Sequence, residues 1–210
     1  VSYTGTGANA TVGHGLGSVP KMIIFKDRSN VNGWHTYHSS FANATDLLLL
    51  DTTGALYTAN YYINNTRPTS SVFSLGNGAG TNGSSENYIA YCFAEKQGYS
   101  KFGSYDGNSI GNDNNFQYCG FSPAFVMIKC SSAVESWVMF DSKRNGFNPD
   151  NDELYPNLSN AESSVESVDF LSNGFNPYKG TGTINRSGKS YIYMAFAEQP
   201  LVGDNPATAR

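Results

Sequence analysis

YIAYCFAEKQGYSKFGSYDGN, Tyr88 to Asn108, decides how this chain is built, because its first half returns near the C-terminus as YIYMAFAE, Tyr191 to Glu198. Tyr88, Ile89, Phe93, Ala94 and Glu95 match Tyr191, Ile192, Phe196, Ala197 and Glu198, each 103 positions later. Gly17 and Gly120, Pro20 and Pro123, Lys26 and Lys129, and the only two tryptophans, Trp34 and Trp137, keep the same step. The second half, SYDGN, echoes the N-terminal SYTGTG at a step of 102, so it opens a second repeat as Val1 opens the first. The chain reads as a tandem duplication, one unit at 1–97 and a second, with a short C-terminal tail, at 98–210. Units of about 100 residues have a common domain size and bury a core without obligatory staples.

Charged residues make up 14% of the chain, against a usual ~25%, while Gly contributes 22 residues and Asn and Ser are abundant, a composition that favours turns over long helices. The 14 tyrosines and 13 phenylalanines favour strands, and no window carries the periodicity of an extended helix. The expectation is an all-β protein made of two tandem, jelly-roll-like β-sandwich repeats packed together through related surfaces. A net charge of −4 supplies no basic footprint for nucleic acid or an anionic membrane surface, and no apolar run reaches 18 residues.

MIIFK after Pro20 predicts a strand buried on both faces, joined through the NVNG turn to GWHTYHSS. DLLLL is an apolar run too short for a helix by itself, and LYTANYYINNTRPTSS predicts a strand with a long irregular loop. SVFSLGNGAGTNGSSEN predicts a strand and then a mobile Gly/Asn tip, a plan repeated before the last strand of the second unit. Neither face of Tyr88 to Glu95 is polar, which places the closing strand between packed layers or against a neighbouring repeat or subunit. Trp34, Trp137, Phe93 and Phe196 are expected in the repeated core.

Cys92, Cys119 and Cys130 are odd in number and none has a cysteine at its repeat counterpart, so they read as free thiols, a Cys119–Cys130 bridge being the alternative. His14, His35 and His38 all lie in repeat one, and the step of 103 sets Asp141 opposite His38. On a strand His35 and His38 point to opposite faces, which argues against a shared metal. Glu95 and Glu198 read as solvated or paired carboxylates. Asp150, Asp152 and Glu153 carry oxygen ligands of the kind calcium takes but lack the glycine and spacing of a calcium loop, so no metal or other cofactor is assigned. No nucleophile elbow, phosphate loop or dinucleotide fingerprint is present, and the expectation is a non-enzyme.

LYTANYYINNTRP sets Tyr57, Tyr61 and Tyr62 among Asn60, Asn64, Asn65 and Arg67. Flat aromatic faces suit the apolar side of a sugar ring, and amide and guanidinium groups suit its hydroxyls. Tyr57, Tyr61, Tyr62, Asn64, Asn65 and Arg67 are therefore candidate ligand contacts. The competing reading has these tyrosines packing under a long loop. Repeat two offers LYPNLSNAESS there instead.

YTGTG, HGLGSVPKMIIFK, GWHTYH, NYIAYCFAEKQGYSKFGSYDGN and the final YIYMAFAE together resemble a bacteriophage domain of unknown function found in tail-fibre and other virion appendage proteins of marine phages, cyanophages among them. The similarity spans nearly the whole chain; FAE-x-x-G-[FY]-S-x-F-G-x-Y is its most specific part. Such members form the distal or C-terminal part of longer fibre chains, whereas this chain begins within the repeat at Val1. The resemblance implies a structural and adhesive role on a virion, with no catalytic residues to carry over. Free thiols agree with assembly in a reducing host cytoplasm. The leading expectation is a tail fibre or similar appendage that contacts host-surface glycan, as a homo-oligomer, a trimer by preference, or against neighbouring virion subunits. A purely structural fibre or decoration role is the alternative. A polysaccharide depolymerase, with two carboxylates about 5 to 10 Å apart, is the third and least favoured.

Overall fold

The computed structural model describes residues 1–109, 115–144, 148, 152–164 and 167–199. Aromatic and β-branched residues in PKMIIFKD and NYIAYCFA support strands of eight residues, with Pro20 at the first position, where its missing N–H costs the ladder least. The first repeat runs β1 (Ser2–Thr4), β2 (Ala10–Gly13), β3 (Pro20–Asp27), β4 (His35–His38), β5 (Asp46–Leu49), β6 (Tyr57–Thr58), the one-turn helix α1 (Asn60–Ile63), β7 (Val72–Leu75), the one-turn helix α2 (Ala79–Asn82) and β8 (Asn87–Ala94). The second runs β9 (Ser100–Asp106), β10 (Gln117–Tyr118), β11 (Pro123–Cys130), β12 (Trp137–Asp141), β13 (Asp152–Glu153), β14 (Ser163–Ser164), β15 (Val168–Leu171), β16 (Gly174–Pro177) and β17 (Ser190–Ala197). The chain is all-β, of sandwich type.

It divides into two compact units, one of Val1–Thr52 and Leu56–Ala94, the other of Thr53–Ala55 and the chain from Glu95 onward. In the first, the sheet β1-β8-β3-β4-β5-β6 and the ribbon β2-β7 enclose Ile23, Phe25, Tyr37, Leu47, Phe73, Leu75 and Ala90, with Ile63 of α1 closing one side. In the second, β12-β11-β17-β9 and β10-β16-β15 enclose Val126, Ile128, Val138, Phe140, Phe170, Phe175 and Ala195. Each Val, Leu, Ile or Phe side chain among them contributes about 1.5–3 kcal/mol by leaving water.

The duplication extends to the ladders. Met22 pairs with Phe93 and Phe125 with Phe196; Ile24 pairs with Thr36 and Met127 with Met139; even the register shift after Pro20 recurs after Pro123. Ser2 faces Ile89 as Ser104 faces Ile192, so the opening strand keeps the shorter step of 102.

The polar interior is copied as well. Tyr3 stacks on Tyr88 at 5.3 Å and Tyr105 on Tyr191 at 5.1 Å. Tyr88 Oη donates to Ala79 O and accepts from Gly83 N, while Tyr191 Oη donates to Gly182 O and accepts from Arg186 N. Tyr3 and Tyr105 hydroxyls donate to Thr81 O and Ile184 O. Asn82 and Asn185, 1% and 0% exposed, accept from the backbone N–H of Thr6 and Asn108. A Cβ on Gly5 would fall 2.1 Å from Gly83 O, and one on Gly107 would fall 2.2 Å from Arg186 O, so both loops close over a residue that must be glycine.

The Gly/Asn stretch of repeat one is therefore no mobile tip: α2 buries Gly80, Thr81 and Asn82 because their backbone groups have partners there. The expected core residues need correction too. Trp137 is 1% exposed, but Trp34, Phe93 and Phe196 are only partly buried. Phe93 and Phe196 alternate with Ala90 and Ala195, whose side of each strand faces the sandwich interior, and so lie on the other side.

Tyr88→Phe and Tyr191→Phe should each lower unfolding free energy by about 1–3 kcal/mol, by leaving buried backbone groups unpaired. Denaturant unfolding of the two variants should show losses of comparable size; a neutral result for either would contradict the copied bonding.

Candidate functional site

The candidate ligand contacts fall on one turn of chain whose side chains take different tasks. Tyr57 on β6 is half-buried and its hydroxyl lies 2.7 Å from His35 Nδ1. The Tyr62 ring packs 4.2 Å from the His35 ring and 6.3 Å, edge-on, from Tyr57. Tyr61 sits 4.5 Å from Tyr62 and is 48% exposed. Where the sequence pattern predicts extended chain, the structure forms α1, which Asn64 and Asn65 end in left-handed conformations, φ 51° and 47°. Asparagine tolerates that region, which accounts for the Asn-Asn pair by conformation.

Arg67 has its guanidinium occupied. Nη2 donates to Phe41 O at 2.8 Å and Ala42 O at 3.0 Å, and Nη1 to Ser39 O at 3.3 Å and Tyr37 Oη at 3.4 Å. This fork pins the loop to the chain after β4. Of the six residues, Tyr61 offers an exposed ring, Tyr57 and Tyr62 pack beneath it, and Arg67 holds the loop in place.

The histidines are built into the backbone. His14 Nδ1 accepts from Leu16 N and Nε2 faces Thr69 O. His38, wholly buried, accepts from Ser40 N through Nδ1. Burial drives His35 down to about 4, with Lys26 adding to the effect and Asp51 opposing it. His35 packs on the tyrosines and His38 on Phe41, on opposite sides of β4.

Carboxylates are likewise engaged. Glu95 pairs with Lys101 at 2.9 Å and Glu198 with Lys143 at 2.8 Å, partly exposed pairs of the kind worth about 0–1 kcal/mol. Asp27, 1% exposed, accepts from Ser29 N and Asn30 N, and from the Asn30 and Asn32 amides. Burial pushes its carboxyl up, but these bonds outweigh that and hold it below the usual range. Asp141 caps the turn at Lys143 and Arg144 in the same way, and its bond from Lys143 N repeats the one that His38, its counterpart in the first repeat, accepts from Ser40 N.

Asp152 and Glu153 are buried in the β13–β14 ribbon, where Tyr155 donates to Glu153; Asp150 lies outside the described residues. Among the described residues no group of three metal-ligating side chains converges. Cys92, Cys119 and Cys130 are free.

Sequence reading assigns no role beyond the repeat to Lys129, and none to two aromatic side chains of the second unit. Lys129 is wholly buried, donates to Cys130 O at 2.7 Å, and is lowered to about 8 by burial. Its counterpart Lys26 donates to Asn32 O and lies 5.8 Å over the Trp34 ring, so both lysines tie a hairpin turn. Phe116 and Tyr118 are 41% and 63% exposed, and their signal is the alternation in NFQYC.

Arg67→Ala should cost about 1 kcal/mol and raise amide exchange through Asn60–Arg67, while Tyr61→Ala should stay within about 0.5 kcal/mol of the parent. Equal effects would contradict the division of roles. The folded His35 value lies below the unfolded one, so the unfolded chain binds more protons between them. Stability from this group should be complete above about pH 6.5 and fall as pH drops toward 4. An NMR titration placing the His35 ring near 6.5 would refute this.

Over residues 1–200 the chain matches the family model described as Domain of unknown function (DUF7483). No curated protein and no solved structure matches it. By that match the chain belongs to the DUF7483 family.

Proposed function

We propose that the protein is a non-catalytic component of a bacteriophage virion appendage, such as a tail fibre, that meets host-surface glycan through the Asn60–Arg67 loop of its first unit. The observation that carries this reading is Tyr61: an exposed ring, seated on Tyr62, on a loop fixed by four guanidinium hydrogen bonds. A ring already held in place loses little conformational entropy on contact, and tyrosine combines a flat apolar face with a hydroxyl. The resemblance of YTGTG, HGLG and the FAE link to phage appendage domains supplies the setting. Many copies on one particle would multiply a weak single-site affinity.

A second reading, a purely structural part of a fibre, draws on the outer side of β8. There Tyr91, 43% exposed, stacks on Trp34 at 6.4 Å, whereas the matching position of β17 is Met194, 9% exposed. An aromatic pair open to solvent suits contact with a neighbouring copy, in a trimer or a longer assembly.

Adding the purified protein to host cells should reduce adsorption of the phage that encodes it. Periodate oxidation of the cell-surface sugars should abolish binding, and Tyr61→Ala should weaken it by about tenfold, roughly 1.4 kcal/mol. Undiminished adsorption, together with loss of assembled particles in a Tyr91→Ala phage, would favour the structural role.

A further inference from the structure

The outward side of the β10-β16-β15 sheet has the makings of a second binding surface, separate from the Tyr61 loop. Register sets Tyr118, Gly174 and Leu171 in one row across the three strands, and Asn176 opposite Asp169 in the next. The alternate rows, with Phe170, Phe175 and Val168, face the core. Strand alternation therefore sends Tyr118, Leu171 and Asp169 outward.

Tyr118, Phe116 and Leu171 are 63%, 41% and 39% exposed. A Cβ at Gly174 would lie 2.9 Å from Phe116 Cε2, so the Phe116 ring spreads across the glycine and lies against the sheet. Beside this apolar strip stand acceptors that lack donors. Asp169 has no hydrogen bond or ion pair among the described residues, and burial raises its carboxyl above the ordinary value. Asn176 Oδ1, across the ladder from it, is shielded and without a partner among the described residues. A buried oxygen such as Asn176 Oδ1 is normally satisfied, while the half-buried Asp169 carboxylate leaves its lone pairs open to a donor from outside the chain.

We propose that this face is a carbohydrate-binding site, on which a neutral sugar lays its C–H side against Phe116 and Tyr118 and donates hydroxyl hydrogen bonds to Asp169. The ligand must bring both a flat apolar side and several donors, which a sugar ring does and an apolar peptide segment does not. A cationic group would also bring donors, but a single carboxylate gives no acidic field to gather one. The proposal does not depend on the virion setting or on the Tyr61 loop.

Saturation-transfer difference NMR of the whole chain with maltohexaose, cellohexaose and mannohexaose tests it. At least one should receive saturation, with Kd on the order of 1 mM. Tyr118→Ala should weaken that binding about tenfold, and Leu171→Arg, which crowds the face from the far strand, should abolish it; both positions are exposed enough to leave the fold intact. Tyr61→Ala should leave it unchanged, which separates this site from the loop of the first unit. No transfer to any of the three sugars would overturn the proposal. So would binding indifferent to Tyr118→Ala, or binding indifferent to Asp169→Ala.

Discussion

A buried tyrosine hydroxyl closes each unit. Tyr88 and Tyr191 stand at the start of the closing strands, stack on Tyr3 and Tyr105 from the opening strands, and reach the backbone of the segment just before them. Without that hydroxyl, a carbonyl and an N–H inside a Gly-rich segment would be buried unpaired, at about 1–3 kcal/mol. With it, a stretch of small polar residues folds into the interior. One contact thus joins the last strand and the loop before it to the first strand, at the other end of the unit's sequence.

Because every part of that arrangement is tied to several others, it survived duplication with its bonds in place, while positions outside it diverged. Tyr91 stands where the second unit has Met194, His38 where it has Asp141, and the α1 loop of the first unit has the β13–β14 ribbon as its nearest successor. The faces proposed for recognition follow the same division: Tyr61 lies on the α1 loop, and Phe116 and Tyr118 stand where the first unit has Gly13 and Gly15. Scaffold and surface are separable in this fold for a physical reason: the interior bonds constrain the backbone, and the outward side chains constrain nothing else.

The constant step between repeats makes the ladder register legible in the amino-acid order alone, since a strand and its partner shifted together preserve their pairing. Strand positions follow from the aromatic and β-branched runs. Burial is harder to read. NGAGTN has the composition of a solvent-exposed turn, and partners outside it, among them the hydroxyls of Tyr3 and Tyr88 and the N–H groups of Thr6 and Gly7, make its burial favourable. Arg67 looks like a ligand fork because sequence shows the donors and not the four acceptors on Tyr37, Ser39, Phe41 and Ala42 that occupy them. Phe116 and Tyr118 escape notice because their alternation in NFQYC is a single step beside a two-residue strand.

Native-state amide hydrogen exchange bears most directly on the claim that one tyrosine-centred interior is present twice. Gly83 and Arg186, whose N–H groups donate to the two tyrosine hydroxyls, should exchange among the slowest amides of their units, and at similar rates. If either exchanged as fast as fully exposed Val31, that hydroxyl would not be closing its unit and the account of the fold would fail.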